Sequence, residues 1–305
     1  MSVLAITGAT GFVGSAVLNE ALKQGHTVRA LARREQAPRA GVEWVRGDLS
    51  DTAALAALVQ GADAVVHVAG LTNTPDPAQF EVANVTGTAN VIAAMKEAGA
   101  RRLVFVSSLS ARKPELSAYG ASKAQAEALV EASKLDWTTV RPPAVYGPRD
   151  IDMLDLFRAA KWGVVPLPPG GATSIIHADD LAALLVSLAA TSAAPTRHQT
   201  YEPDDGREGG WSHKELAAAI GRAMGRRVVF APHLPRKVLD AAAAADRRMR
   251  GSKAKLTADR VGYMAHPNWV ARFDRKPPPA LWQPRIAGEE GLKATAEWYK
   301  REGWV

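Results

Sequence analysis

The chain has 305 residues with a hydrophobic fraction of 47%, enough apolar material for one large domain or a main domain with a smaller companion. It has no cysteine, which excludes disulfides and thiolate metal sites, and its longest apolar stretch, Leu181–Ala190, is too short to span a bilayer. The formal net charge is +7, and the excess lies late, in "GRAMGRRVVF", "PRKVL" and "DRRMRGSKAKL" between Arg222 and Lys255.

Such an excess attracts phosphates, anionic membrane surfaces or nucleic acid. No helix-turn-helix, zinc-finger or aromatic RNA-binding signature accompanies it, so nucleic acid is not an expected partner. Peripheral membrane contact stays open beside the plainer reading, a solvated face of a small C-terminal unit. The chain enters a strand-like run at once, "SVLAITGATG", with no signal-peptide pattern before it, so a cytoplasmic protein without a transmembrane segment is expected.

In chain order, "VLAIT", "TVRALA", "VEWV", "DAVVHVA", "RLVFVSS" and "WTTV" read as strands, separated by amphipathic or alanine-rich helical segments. That alternation predicts the α/β class: a Rossmann-type doubly wound parallel sheet with helices on both faces and a crevice at the carboxyl ends of its strands. After Tyr146 the rhythm breaks, with proline and glycine clustered in "VVPLPPGGATS" and "RKPPPALWQP". Residues 1–146 plus about 174–192 are therefore expected to form the dinucleotide-binding domain, with Ser174–Ala189 returning to the main sheet. Residues 147–173 and 193–305 are expected to form a smaller, loop-rich substrate-binding or lid domain.

"ITGATGFVGSAVLNEALKQG" sets Gly8, Gly11 and Gly14 between the first strand and a helix predicted to run to about Gln24. A tight turn, close backbone approach to a pyrophosphate and helix–strand packing each need glycine, and the helix N-terminus offers N–H groups to phosphate. Gly8, Thr10, Gly11, Phe12, Val13 and Gly14 are thus candidate dinucleotide contacts. The second strand ends at Ala32, followed by Arg33 and Arg34, where an NAD site would carry Asp or Glu. Two guanidinium groups suit the 2′-phosphate of NADP, so NADP is the preferred cofactor and NAD the alternative.

The series "TGATGFVG", "GDLSD", "HVAG", "NVTGTANV", "VFVSS", "YGASK", "RPPAVYGP" and "IIHADDLA" covers about the first 190 residues. In that order it resembles the extended short-chain dehydrogenases/reductases, the NAD(P)-dependent epimerase/dehydratase family. The resemblance implies that Asp48 and Leu49 flank the adenine and that Val68, Ala69 and Gly70 line the cofactor. It also implies that Asn84 opens a helix and supports that strand end, and that Pro142 to Val145 lie along the nicotinamide. A homodimer through the helices Asn84–Gly99 and Tyr119–Ser133 follows by analogy alone. His67, with no evident partner, reads as a packed strand residue.

Within "SAYGASK", Tyr119 and Lys123 stand at i and i+4 on one helix face. Hydride transfer to a carbonyl requires a proton donor, and tyrosine, with an ordinary pKa of about 10, becomes a better acid/base beside an ammonium. A hydroxyl from "VFVSSLSA" would polarise the substrate oxygen. Ser107, Ser108 and Ser110 compete for that role, and register with the strand end favours Ser108. Ser107, Tyr119 and Lys123 also count as cofactor contacts. His177, Asp179 and Asp180 match the family's helix-start segment, and the seven histidines show no paired ligand spacing, so no metal is expected.

The leading expectation is an NADP(H)-dependent oxidoreductase that interconverts a secondary alcohol and a ketone on a small-molecule substrate, an anionic one being an option that the basic residues leave open. One alternative is a nucleotide-sugar epimerase/dehydratase with tightly bound NAD, for which Arg149, Arg197, Arg207 and the later basic cluster could supply a diphosphate-binding set. Another is a non-catalytic NADP-binding sensor or accessory subunit.

Overall fold

The computed structural model describes residues 1–191 and 196–305. β1 (Val3–Thr7), α1 (Phe12–Lys23), β2 (Thr27–Ala32), β3 (Val42–Arg46), α2 (Thr52–Val59) and β4 (Ala64–His67) open the chain. α3 (Ala78–Phe80), a π-helical segment Glu81–Thr86 and α4 (Gly87–Ala98) follow without a break in helical backbone, then β5 (Arg102–Val106), α5 (Ala118–Ala132) and β6 (Asp136–Val140). Next come β7 (Ala144–Tyr146), α6 (Leu154–Lys161), β8 (Ala172–Thr173), β9 (Ile175–His177), α7 (Ala178–Ala190) and β10 (Gln199–Tyr201). β11 (Trp211–Ser212), α8 (His213–Ala223), α9 (Arg236–Arg250), α10 (Ala258–Met264), β12 (Asn268–Trp269) and α11 (Gly288–Arg301) complete it.

All six strands read from the sequence lie in one seven-stranded parallel sheet of order β10-β6-β5-β4-β1-β2-β3. β4 and β5 are buried along their whole length, because helices cover both faces; their sequences are therefore nearly continuous apolar runs. Val17 and Leu18 of α1 and Leu181, Leu185 and Leu188 of α7 pack on one face. Leu55, Leu58, Val91, Met95 and Val130 pack on the other. The winding reverses between β1 and β4, which opens the crevice at the strands' carboxyl ends.

Two details differ from expectation. Ser174–Ala189 does not add a strand to the main sheet: β9 pairs with β7 in a separate two-stranded parallel sheet, and only α7 returns, against the sheet face. The seventh strand is β10, which pairs with β6 beyond the limit of 192 drawn for the dinucleotide-binding domain. "QTY" is too short and polar for period-two patterning to reveal it.

A second core holds Tyr146, Phe157, Ile220, Leu292 and Tyr299, with Trp298 and Trp304 packed at its edge. Trp211 is buried there and donates Nε1–H to Asp205 at 2.8 Å. These tryptophans are packing residues. Leu239 and Ala243 of α9 form a small satellite cluster with Val261 of α10.

Candidate active site

The glycine loop is tight enough to exclude any side chain. Gly8 has φ +73°, and a Cβ there would lie 2.7 Å from the Ala69 nitrogen; one on Gly14 would lie 2.0 Å from the Gly8 carbonyl oxygen. We expect Gly14→Ala to lower Tm and abolish measurable dinucleotide binding, because backbone rather than a flexible side chain must move, and overpacking of this kind costs about 1–3 kcal/mol or more; a thermal melt with and without cofactor checks it. Gly11 ends the loop as the N-cap of α1, with no side-chain cap and no acidic residue in the first turn. A helix start of this kind leaves its first-turn N–H groups without side-chain partners, as phosphate binding requires. Thr10 is exposed, while Phe12 and Val13 are half-buried.

Arg33 lies in an open cleft of about 530 Å³ lined also by Arg46, Gly47, Asp48, Ser50 and Asp51. Arg34 is exposed outside that lining. Arg46 is a residue the sequence reading missed; it ends β3 in register with Ala32, which brings it level with the end of β2. Asp48 accepts from Ser50 N at 2.8 Å and from Ser50 Oγ at 2.6 Å, and these bonds hold its carboxyl below the usual range. Leu49 packs inward; a Cβ on Gly87 would come 2.7 Å from its Cδ1.

Arg149 has φ +76° and donates to Ser15 Oγ at 2.9 Å, placing a guanidinium at the first turns of α1. The three arginines read as a diphosphate set are not brought together: Arg197 lies 3.8 Å from Asp136, and Arg207 pairs with Glu215 at 2.6 Å while stacking over Trp211.

At the other end of the crevice, Val68 packs on the core and the Ala69 N–H donates to Thr7 Oγ1 at 3.2 Å. His67 is buried between Thr7 Oγ1 at 2.6 Å and Thr88 Oγ1 at 3.1 Å. Thr88 already donates to the Asn84 carbonyl, so His67 donates to Thr88 and accepts from Thr7. Burial pushes the imidazole down to about 3, so it is neutral and structural.

Asn84 does not open a helix. It sits inside the π-helical segment, whose widened turn directs its amide at the loop after β4. Its Oδ1 accepts from Leu71 N at 2.7 Å, and its Nδ2 donates to Leu71 O at 3.0 Å and to Ser122 Oγ at 2.9 Å. Gly70 is held beside this amide and near Lys123, since a Cβ there would be 3.0 Å from Asn84 Oδ1 and 3.8 Å from Lys123 Nζ. Pro142 accepts from Leu109 N at 3.1 Å, which fixes the turn after β5, and Val145 lies in β7 opposite Ile176.

Tyr119 is 9% exposed in the first turn of α5, its ring between those of Phe80 at 5.7 Å and Tyr263 at 6.0 Å. Ser117 caps the helix by accepting from Gly120 N at 2.9 Å, and Asp259 of α10 accepts from Ala118 N at 2.5 Å and Tyr119 N at 3.4 Å. Ser108, the half-buried N-cap of the next 3-10 turn, accepts from Ser110 N at 3.2 Å and acts on the Tyr119 phenol to oppose the rise of its pKa. Ser107 Oγ is buried with no partner, and Ser110 lies buried within the 3-10 turn Leu109–Arg112.

Lys123 is 4% exposed; its Nζ donates to Val106 O at 2.8 Å and lies 4.5 Å over the Phe105 ring. Burial pushes this ammonium down to about 8, with Glu127 opposing. The expected depression of the Tyr119 pKa by Lys123 is not what dominates here. Burial drives the phenol up, Ser108 works against it, and Tyr263 and Asp152 add to the rise. The physical reason is that the ammonium is engaged by Val106 rather than the phenol, and the ring is enclosed by two others. Tyr119 is therefore a protonated donor at neutral pH.

The wall opposite Tyr119 comes from residues over 100 positions away, which no local motif announces: Tyr263, Asp259, and Arg260, whose guanidinium pairs with Asp152 at 3.0 Å. His177 and its neighbours have structural tasks. His177 caps α7 by accepting from Asp179 N at 3.2 Å, and Asp180 accepts from Arg285 N and Ile286 N. Among the described residues no group of three or more His, Asp or Glu could hold a metal ion.

The loop, the two-arginine cleft and the unpartnered Ser107 hydroxyl fit a dinucleotide laid across the strand ends. A family profile described as NAD(P)H-binding matches residues 8–192. The ceramide reductase of Caulobacter vibrioides is 34% identical over 99% of this chain and 96% of its own length. The 2-alkyl-3-oxoalkanoate reductase of Stenotrophomonas maltophilia is 33% identical over 62% of this chain and 66% of its own length. Among solved structures, MoeE5 in complex with UDP-glucose and NAD superposes with a TM-score of 0.75 at 24% identity, covering 99% of each chain. The UDP-glucose 4-epimerase of Thermotoga maritima does so at 0.72 and 19%, again over 99% of each. At such identities the structural likeness establishes the fold.

Proposed function

Since this chain belongs to the NAD(P)H-binding family of extended short-chain dehydrogenases/reductases, enzymes of reductase and epimerase type, we propose that it is an NADPH-dependent reductase of a ketone carried on a long-chain lipid. The observation that carries the reading is the state of Tyr119: enclosed by the rings of Phe80 and Tyr263, buried, and pushed by that burial towards its neutral form. A donor in that state suits reduction, where the alkoxide must be protonated.

Reduced nicotinamide, when bound, supplies the hydride. Ser108 donates to the ketone oxygen and orients it, and Tyr119 delivers its proton to that oxygen as negative charge develops. Lys123 holds the ribose and supplies positive charge that stabilises the resulting phenolate. Phe80 and Tyr263 exclude water from the phenol. The loop Gly8–Gly14 and Arg149 would hold the pyrophosphate, and Arg33 with Arg46 the 2′-phosphate. Residues 147–173 and the segment that follows β10, 202–305, would form the substrate side.

The substrate class rests on the relatives' names, a ceramide reductase and a 2-alkyl-3-oxoalkanoate reductase, both of which point to reduction of alkyl-bearing lipids. Turnover of long-chain keto-lipids in detergent with NADPH tests the reading. Failure to oxidise NADPH with any of them, or release of tightly bound NAD from the purified protein, would overturn it.

Cofactor choice is testable separately. Removing both guanidinium groups in Arg33→Ala/Arg46→Ala raises KM for NADPH by about tenfold or more and leaves KM for NADH nearly unchanged, as expected for loss of charge-assisted phosphate bonds. The pH profile follows from Lys123: as pH rises through about 8 its ammonium is lost while the phenol stays protonated, so kcat falls on the alkaline side. A kcat that keeps rising well above pH 8 would count against that role.

A further inference from the structure

We infer that the face formed by Trp162, Phe230 and the outer stripe of α9 docks on the surface of an anionic lipid bilayer. The basic segment that follows α8 runs first as an extended ribbon, in which Phe230 N donates to Gly163 O at 2.8 Å and Val165 N to Phe230 O at 2.9 Å. Period-two alternation turns Val165 and Val229 inward and leaves Val164, Val228 and Phe230 outward at 41%, 84% and 69% exposure, and Trp162, which caps the C-terminal end of α6 just before the ribbon, is 81% exposed. The ribbon leads directly into α9. There Val238, Ala242, Ala245 and Met249 are all exposed and follow i, i+4, i+7 and i+11, so they share one line of the helix, while Leu239 and Ala243 face inward.

Basic residues border this apolar surface. Among the described residues Arg227, Lys237, Arg248 and Lys253 are exposed and make no ion pair, and Lys237 and Arg248 flank the α9 stripe. An aromatic pair, an apolar helical line and unpaired cations together match the acyl boundary and headgroups of an anionic leaflet; α9, with 15 residues, lies in such an interface and does not cross it.

The helix that carries the stripe turns its inner side towards the active site. α9 packs against Val261 of α10, two residues from the Tyr263 that faces Tyr119. Asn73, in the loop after β4, donates to the carbonyls of Ala254 and Lys255 just beyond α9. Docking here would hold the helix that backs Tyr263 at the surface where a membrane-resident ketone is found. That purpose rests on the proposed lipid substrate, although the exposed residues stand independently of it.

Flotation of the full chain with phosphatidylcholine vesicles, with and without phosphatidylglycerol, tests the docking. The parent protein is expected to float with phosphatidylglycerol vesicles at low salt and to release at high salt. Trp162→Ser/Phe230→Ser and Lys237→Glu/Arg248→Glu should each lose binding by about tenfold or more, with unchanged melting and unchanged turnover of a soluble short-chain ketone. No flotation at low salt, flotation undiminished in both variants, or conversion of a dimer to a monomer by Trp162→Ser/Phe230→Ser without any vesicle binding would overturn the inference. Vesicle binding with no reduction of any keto-lipid would instead remove the substrate reading and leave the docking.

Discussion

Tyr119→Phe is expected to lower reductive turnover by about a thousandfold while NADPH affinity changes by no more than about twofold, the range for loss of a positioned general acid. The ring's contacts with Phe80 and Tyr263 do not need the hydroxyl, so phenylalanine keeps the packing and removes only the phenol oxygen. Single-turnover kinetics together with a cofactor fluorescence titration separate the two quantities. If affinity collapsed with turnover, Tyr119 would be a cofactor prop rather than the proton donor; if neither moved, the site would lie elsewhere.

The second large effect joins catalysis to stability. Lys123→Met should cost about a hundredfold in kcat and yet melt no lower than the parent. Burial brings this ammonium from 10.5 to about 8, a penalty of about 3 kcal/mol near neutral pH at about 1.4 kcal/mol per pH unit. Against it stands the bond to Val106 O, whose loss leaves a buried carbonyl without that donor, worth about 1–3 kcal/mol. The sign with pH is fixed: the unfolded lysine holds its proton up to about 10.5 and the folded one only to about 8. The parent therefore gains stability as pH rises across that window and loses it as pH falls through 8, while the methionine variant does not. Melting curves of both proteins on either side of that window check it. A variant much less stable than its parent at pH 7 would make Lys123 a structural residue.

How much of this was legible in the sequence depends on how local each feature is. The strand alternation and the glycine loop are local patterns, and β1 to β6 lie where the runs of Val, Leu and Ile put them. Arg33 was legible because it follows the second strand directly. Arg46 was not, because its value comes from the register of β3 beside β2, a tertiary fact. Asn84 was placed at a helix start by the resemblance of "NVTGTANV" to the family's segment; the π-turn that carries it inside a helix has no compositional signature. The spacing of Tyr119 and Lys123 revealed their shared face but not their environments. Enclosure by Phe80 and Tyr263 and the reach to Val106 come from chain segments up to 144 positions away, and they reverse the simple expectation that an ammonium lowers the phenol. Tyr263 and Asp259 were invisible for the same reason.

The most direct test of the account is one turnover with NADPH deuterated at its transferable C4 position and a long-chain keto-lipid, followed by mass analysis of both products. The account predicts one deuterium on the new carbinol carbon, one oxidised NADP released for each alcohol formed, and neither in Tyr119→Phe. Deuterium that stays on the cofactor, or a stereocentre inverted with no net oxidation of the nicotinamide, would contradict it.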